Sequence, residues 1–235
     1  LLKLSVEDKN IISLGPGEPD FITPKPIRDY TRKIIDKATH YSAPQGNAEL
    51  REAICKKLRK ENRIKCNPDN IVVTCGSQEA IFISMLSSLD VTEEVIVPNP
   101  SYLVYVPAIE LVSGVPVFLE LKENENWQIN PDRLRKLINK KKTHGIIINT
   151  PSNPLGSVLD KNLLEEIADI AVENNLYIFS DEAYEKLIYD KKHISIGSLN
   201  GMEDYVITFQ TFSKSYAMCG YRLGYACGPK KLIDA

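Results

Sequence analysis

The chain has 235 residues, 43% of them hydrophobic and 26% charged, with a net charge of −2. That length and apolar fraction suit one large core, and so small a net charge gives no broad attraction to nucleic acid or to an anionic membrane. No apolar run approaches the roughly 20 residues of a membrane span, and the five cysteines (Cys55, Cys66, Cys75, Cys219, Cys227) show no C-x-x-C spacing.

His40, His144 and His193 are far from one another and from the cysteines in sequence, so no metal site is expected. An odd number of scattered thiols fits a reducing cytoplasm. The first residues are Leu1-Leu2 and the last ones, after Pro229, have the pattern of a helix start. Both ends are expected to be cut, with a further domain beyond.

Residues 1–23 are expected to form an arm, and residues 24–235 one large domain. In the arm, Gly15-Pro16-Gly17-Glu18-Pro19-Asp20 packs two glycines and two prolines into six residues, which forbids regular structure. A glycine-rich dinucleotide loop needs a helix directly behind it, so this segment is not one. Helical spacing follows over 26–38, through Ile27, Tyr30, Ile34 and Ile35, and over 48–61, through Leu50, Ile54 and Leu58. From there the chain alternates. Short apolar runs rich in Val, Ile and Tyr predict strands at 71–75, 94–97, 115–119, 145–149, 176–180, 205–209 and 223–227. Helical patterns at 78–88, 102–112, 131–140 and 163–174 separate the first five. The alternation predicts an α/β fold: a seven-stranded, mostly parallel sheet with helices on both faces. Residues 211–222 are barely long enough for a parallel crossover, which leaves the last strand free to run antiparallel.

Ligands of such sheets bind beyond the carboxyl ends of the strands. The first strand is followed by Gly76-Ser77-Gln78 and a helix. This is either a phosphate cradle of free backbone N–H groups or an ordinary turn capped by Ser77. Tyr102 opens the next helix, where it could stack on a flat ligand or simply pack. Thr150-Pro151-Ser152-Asn153-Pro154-Leu155-Gly156 holds Asn153 between two prolines, as an amide donor or a turn residue. Asp181 comes at the end of the fifth strand, and a carboxylate that deep calls for a cation. Tyr184 is one helical turn on, on the same face. Lys214 lies among aromatic and small residues between Thr211, Ser213 and Arg222. Such a lysine is either a snorkelling side chain or a poorly hydrated amine able to attack a carbonyl. Arg222 has the fork to grip a phosphate. A phosphate site, an acid for a ring nitrogen, donors for a ring oxygen and an amine for an aldehyde are together what pyridoxal 5′-phosphate requires.

These residues carry a family resemblance. In Gly17-Glu18-Pro19-Asp20-Phe21, in Gly46-x-x-Glu49-Leu50-Arg51, in 149–156, in Ser180-Asp181-Glu182-Ala183-Tyr184 and in 213–224, the chain resembles the class I aminotransferases of the fold-type I pyridoxal-phosphate enzymes. It is most similar to the microbial branch that acts on aspartate, aromatic and related amino acids. The resemblance implies that Lys214 carries the cofactor as an aldimine and shuttles the proton, and that Asp181 holds the pyridinium nitrogen. Tyr184 and Asn153 would bond the ring 3-oxygen, and Tyr102 would stack on the ring. Gly76, Ser77, Gln78, Thr211, Ser213 and Arg222 would bind the phosphate. Tyr41 would reach the phosphate of the partner subunit, making the active unit a homodimer, and Gly17 would touch the substrate together with Asn153 and Tyr102.

The chain departs from the family twice. The family's arginine for the substrate carboxylate belongs to a C-terminal small domain that is expected to be missing here, and Leu155 stands where threonine is common. Two other functions share these cofactor residues: a carbon–sulfur β-lyase on the same scaffold, and a non-catalytic pyridoxal-phosphate-binding regulatory domain.

Overall fold

The computed structural model describes residues 8, 10, 15 and 17–235; the apolar run at 11–14 and most of the expected arm lie outside the described residues. The seven predicted strands are all present: β1 (Ile71–Thr74), β2 (Glu94–Asn99), β3 (Val115–Glu120), β4 (Thr143–Asn149), β5 (Tyr177–Asp181), β6 (Val206–Thr211) and β7 (Gly224–Cys227). They form one sheet in the order β1-β7-β6-β5-β4-β2-β3. Pairs β2–β3, β2–β4, β4–β5 and β5–β6 are parallel. β7 is antiparallel to both of its neighbours, β1 and β6, which is how the short 211–222 connection is accommodated.

The helices are α1 (Lys25–Ile34), α2 (Ala48–Lys57), α3 (Ser77–Ser88), α4 (Tyr105–Leu111), α5 (Pro131–Leu137), α6 (Lys161–Asn174), α7 (Phe212–Ser215) and α8 (Lys230–Ile233). Strand periodicity divides the core between the two faces of the sheet. Ile146 and Ile148 of β4 face α5 and α6, where Leu134, Leu164 and Ile167 are buried. Ile147 between them faces α3 and α4, with Ile81, Met85, Ala108 and Ile109. A third cluster packs Ile54 and Leu58 against Ile71 and Tyr225, closing α2 over β1 and β7. Side-chain caps set several helix starts: Asn47 accepts from Leu50 N, Asn130 from Arg133 N and Asp160 from Leu163 N.

Four helices are shorter than their patterns: α1 ends at Ile34 and runs on as a 3-10 turn, α2 ends at Lys57 and runs on as a π turn, and the other two stop for local reasons. The one expected over 102–112 starts at Tyr105, after a turn in which Tyr105 N donates to Tyr102 O. The reason is Pro107: a start at Tyr105 keeps it in the first turn, where a missing N–H costs nothing, whereas a start at Tyr102 would put it inside the helix. The helix over 131–140 stops at Leu137, because Asn139 is drawn into a turn with Thr143, whose Oγ1 accepts from Asn139 N at 2.9 Å.

Candidate active site

The parallel strands deliver their carboxyl ends to one edge of the sheet, and a cavity of about 970 Å³ opens there. It is lined by Asp181 from the end of β5, by Thr211, Ser213 and Lys214 from the end of β6 and α7, and by Ser77 and Gln78 from the start of α3. Tyr102, Asn153, Tyr184 and Arg222 come in on loops, and Gly17 closes over the top. Gly76 stands just behind Arg222. Tyr41 is fully exposed and lines none of this cavity.

Asp181 forms the floor. It is 4% exposed. Its Oδ1 accepts from Ala183 N at 3.1 Å and its Oδ2 from the Tyr105 hydroxyl at 2.7 Å. Burial raises its pKa, and the two hydrogen bonds pull the other way. An ionised carboxylate has about four acceptor positions. These two bonds leave capacity for a cationic donor from the cavity side.

Beside it, the rigid 149–156 loop and the start of the next segment meet. Asn153 Nδ2 donates to the Tyr184 hydroxyl at 3.2 Å. Asn149 supports both: its Oδ1 accepts from Asn153 N at 2.6 Å, and its Nδ2 donates to Asp181 O at 2.9 Å. Burial, then the nearby Asp181 carboxylate, push the Tyr184 phenol up. Lys214 is half-buried, donates through Nζ to Gly17 O, and lies 5.5 Å from the centroid of the Tyr184 ring.

The third wall is built for an anion. Gly76 has φ +84, and no side chain caps α3, so the first N–H groups of this 12-residue helix have no side-chain acceptor. Arg222 lies across this turn: a Cβ on Gly76 would fall 2.6 Å from its Nη2. Its Nη1 is held by Cys219 O at 3.0 Å. Thr211 carries a structural duty as well, since its Oγ1 accepts from Ser213 N and so caps α7. Tyr102 stands edge-on to Tyr105, with ring centroids 5.6 Å apart and planes at 83°.

Residues 9–235 match the family described as aminotransferase class I and II. The chain belongs to this family. It is 45% identical over 237 residues to an aspartate aminotransferase of Pyrococcus abyssi, covering 100% of this chain and 61% of that protein. It is 44% identical to aromatic-amino-acid aminotransferase 2 of Thermococcus litoralis, with the same coverage of 100% and 61%. Among solved structures, an aromatic aminotransferase from Pyrococcus horikoshii superposes with a TM-score of 0.93 at 44% identity, covering 100% of this chain and 64% of that one. The Thermus thermophilus aspartate aminotransferase with maleate gives 0.94 at 36%, covering 98% and 60%. The chain thus spans 61% of the length of both of these curated relatives.

Class I aminotransferases work with pyridoxal 5′-phosphate. The cavity fits that group on its own chemistry. It offers a primary amine, a buried carboxylate with open acceptor positions, an amide–phenol pair, and an uncapped helix start under a guanidinium.

Tyr105 and Asn149 line up these groups; Asn149 lies in the 149–156 motif without a role assigned to it there, and no sequence pattern marked Tyr105. Tyr105 looks like a core aromatic, and the only clue is that a buried phenol needs a polar partner. Behind the site, Glu182, Glu185 and His193 bring ligand-type atoms within 4.8 Å of one another, a cluster that sequence separation concealed. The two carboxylates accept from Ser180 and Ser195 at Glu182 and from Gln210, Asn62 and Lys57 at Glu185.

Proposed function

We propose that the complete protein is a pyridoxal-phosphate-dependent aminotransferase that moves an amino group between an L-amino acid and a 2-oxo acid. The observation that carries this reading is the convergence of Lys214, Asp181 and the Asn153–Tyr184 pair on one cavity. The names of the relatives point to aspartate and aromatic amino acids as donors.

In this reading Asp181 would hold the ring nitrogen of the cofactor, and Asn153 and Tyr184 its 3-oxygen. Tyr102 would cover the ring face. The N–H groups of Ser77 and Gln78, the hydroxyls of Thr211 and Ser213, and the Arg222 guanidinium would take the phosphate, with Gly76 leaving room for Arg222. When bound, the cofactor supplies an electron sink for the substrate Cα, and the protein supplies placement and charge. Asp181 would favour the protonated ring nitrogen, because a buried carboxylate is stabilised by a cation beside it. The Lys214 amine would hold the cofactor through its aldehyde and, when free, would carry a proton from the substrate Cα. Gly17 brings backbone rather than a side chain against that amine, which leaves space for the substrate.

The proposal extends to a cytoplasmic homodimer in which Tyr41 reaches the partner's phosphate. Five free thiols support the reducing compartment. The individually exposed apolar side chains of Phe21, Ile22, Tyr30 and Tyr41 support an interface. No helix among the described residues is long and apolar enough to cross a membrane.

The test uses the complete protein. Single amino acids should bleach its visible cofactor band, and 2-oxo acids should restore it. Lys214→Ala should lose the borohydride-reducible cofactor link; retention of that link would sink the assignment. Release of pyruvate and ammonia in place of a new amino acid would make the enzyme a β-lyase.

A further inference from the structure

Asp181 and Tyr184 line the cavity, while Glu182 and Glu185, the residues that directly follow them, do not. Alternation along the strands sends Asp181 to the face that holds Tyr105, and Ser180, Glu182 and Gln210 to the other face. There both glutamates are buried, at 0% and 7% exposure. Glu182 Oε1 accepts from Ser195 Oγ at 2.6 Å and from Ser180 Oγ at 3.1 Å, and its Oε2 accepts from His193 Nε2 at 2.9 Å. Glu185 Oε1 pairs with Lys57 at the end of α2, and its Oε2 accepts from Asn62 Nδ2 at 2.6 Å and from Gln210 Nε2 at 2.9 Å. Gln210 Nε2 also reaches Glu182 Oε2 at 3.5 Å, so one amide joins both carboxylates.

Between these two anchors the chain makes one tight turn. Glu185 N donates to Glu182 O at 3.1 Å, and Leu187 N to Tyr184 O at 2.8 Å. Ala183 N, inside the turn, donates to Asp181 Oδ1 at 3.1 Å. A shift of either anchor therefore moves a donor of Asp181 and the base of the Tyr184 side chain together. Packed apolar residues of the same size would hold a turn with equal or better stability, because buried paired charges give back most of what their desolvation takes. What a fully satisfied polar network adds is a single arrangement.

We propose that Glu182 and Glu185 are positioning residues: from behind the sheet they fix the 182–187 turn, and with it the directions in which Asp181 and Tyr184 enter the cavity. Ser195, Gln210 and Lys57 act through them. The inference rests on the cofactor reading above, in which Asp181 and Tyr184 meet two different atoms of one ring. A rigid ring takes both contacts only while the two side chains keep one separation, and such constellations tolerate displacements of about 0.5 Å.

The complete protein is freed of cofactor, and pyridoxal 5′-phosphate is titrated back with binding read from the visible band. Glu182→Gln keeps the size of the side chain but removes its charge, and Ser195→Ala removes only the 2.6 Å bond to it. Both should weaken binding by about tenfold or more. Both should also move the pH at which the visible band of the bound cofactor changes, because Asp181 and Tyr184 meet the chromophore itself. Ile167→Ala, in the core under α6, loses stability without touching the turn and should keep the parent's affinity and pH midpoint. If Glu182→Gln does not fold, Ser195→Ala decides. Parent-like affinity and midpoint in Ser195→Ala, or an equal change in Ile167→Ala, would overturn the proposal while the cofactor reading stands. No binding by the parent would sink the cofactor reading and the proposal with it.

Discussion

The Tyr105 hydroxyl, buried in the core under α4, donates to Asp181 Oδ2 at 2.7 Å. The bond joins the helix layer on one face of the sheet to the floor of the cavity. It also acts on the charge of the carboxylate: burial lifts the Asp181 pKa, and the Tyr105 bond is the first of the contacts that restrain it.

Tyr105→Phe should therefore leave a buried acceptor without its donor, at a cost of about 1–3 kcal/mol in stability. It should also loosen the hold that Asp181 is proposed to have on the cofactor's ring nitrogen. We expect several-fold weaker cofactor retention, read by dialysis of the complete protein against buffer, and a lower urea midpoint. Cofactor retention equal to that of the parent would mean that Asp181 does not need this bond.

Gly224 decides how close β7 can come to the turn after β1. A Cβ there would lie 2.5 Å from both Gly76 C and Ser77 N, and these are backbone atoms that cannot step aside without opening the Thr74–Gly224 pairing. Gly224→Ala should cost about 3 kcal/mol or more and weaken phosphate binding together with stability. Gly76→Ala meets only the tip of Arg222, so its cost is mainly that of φ +84 with ψ 163, a region essentially reserved for glycine, about 1–3 kcal/mol. Gly220, with nothing within 4 Å, is the control and should tolerate alanine. Thermal melts of the three variants rank them, and equal losses would contradict the steric account.

Local pattern carried most of the fold, for physical reasons that also explain its gaps. The strands were legible because each is a short apolar, β-rich run between turn residues, and the rule that ligands meet strand ends then pointed to Asn153, Asp181 and Lys214 on one edge. The start of α4 was misread because the apolar periodicity runs on past the point where Pro107 sets the helix limit. The Tyr105–Asp181 bond spans 76 positions and leaves no local trace. The same holds for the ring of polar groups around Glu182. Tyr41 is exposed and away from the cavity, so the role that the resemblance gives it depends on a second subunit.

That polar ring contains a buried ion pair, Lys57 with Glu185, whose side chains are 17% and 4% exposed. Glu185 also accepts from Asn62 Nδ2 at 2.6 Å and from Gln210 Nε2 at 2.9 Å. Burial raises its pKa, but Lys57 and then Asn62 outweigh that and leave it lowered. Lys57→Met strands a buried carboxylate and should cost about 3–5 kcal/mol. Lys161→Met breaks an exposed pair with Glu165 and should cost at most about 1 kcal/mol. Similar losses in chemical denaturation would show that solvent reaches Glu185.

His193 gives the same region a pH signature. Its Nε2 donates to Glu182 Oε2 at 2.9 Å, with Glu185 and Lys57 as the other charges that bear on it. Burial, the largest single influence, works against its charged form, yet the Glu182 and Glu185 carboxylates together outweigh it and raise the pKa above 6.5. A raised folded-state pKa means that the native state holds the proton more tightly than the unfolded chain does. The stabilisation is then fully present below about pH 6.5 and is lost as pH rises through the folded value. The stability advantage of the parent over His193→Gln should thus shrink as the pH is raised from about 6 to about 8. Melting temperatures of both proteins across that range measure it, with the imidazole followed by NMR. An advantage that grows with pH would reverse the sign, and would mean that His193 is buried as the neutral ring.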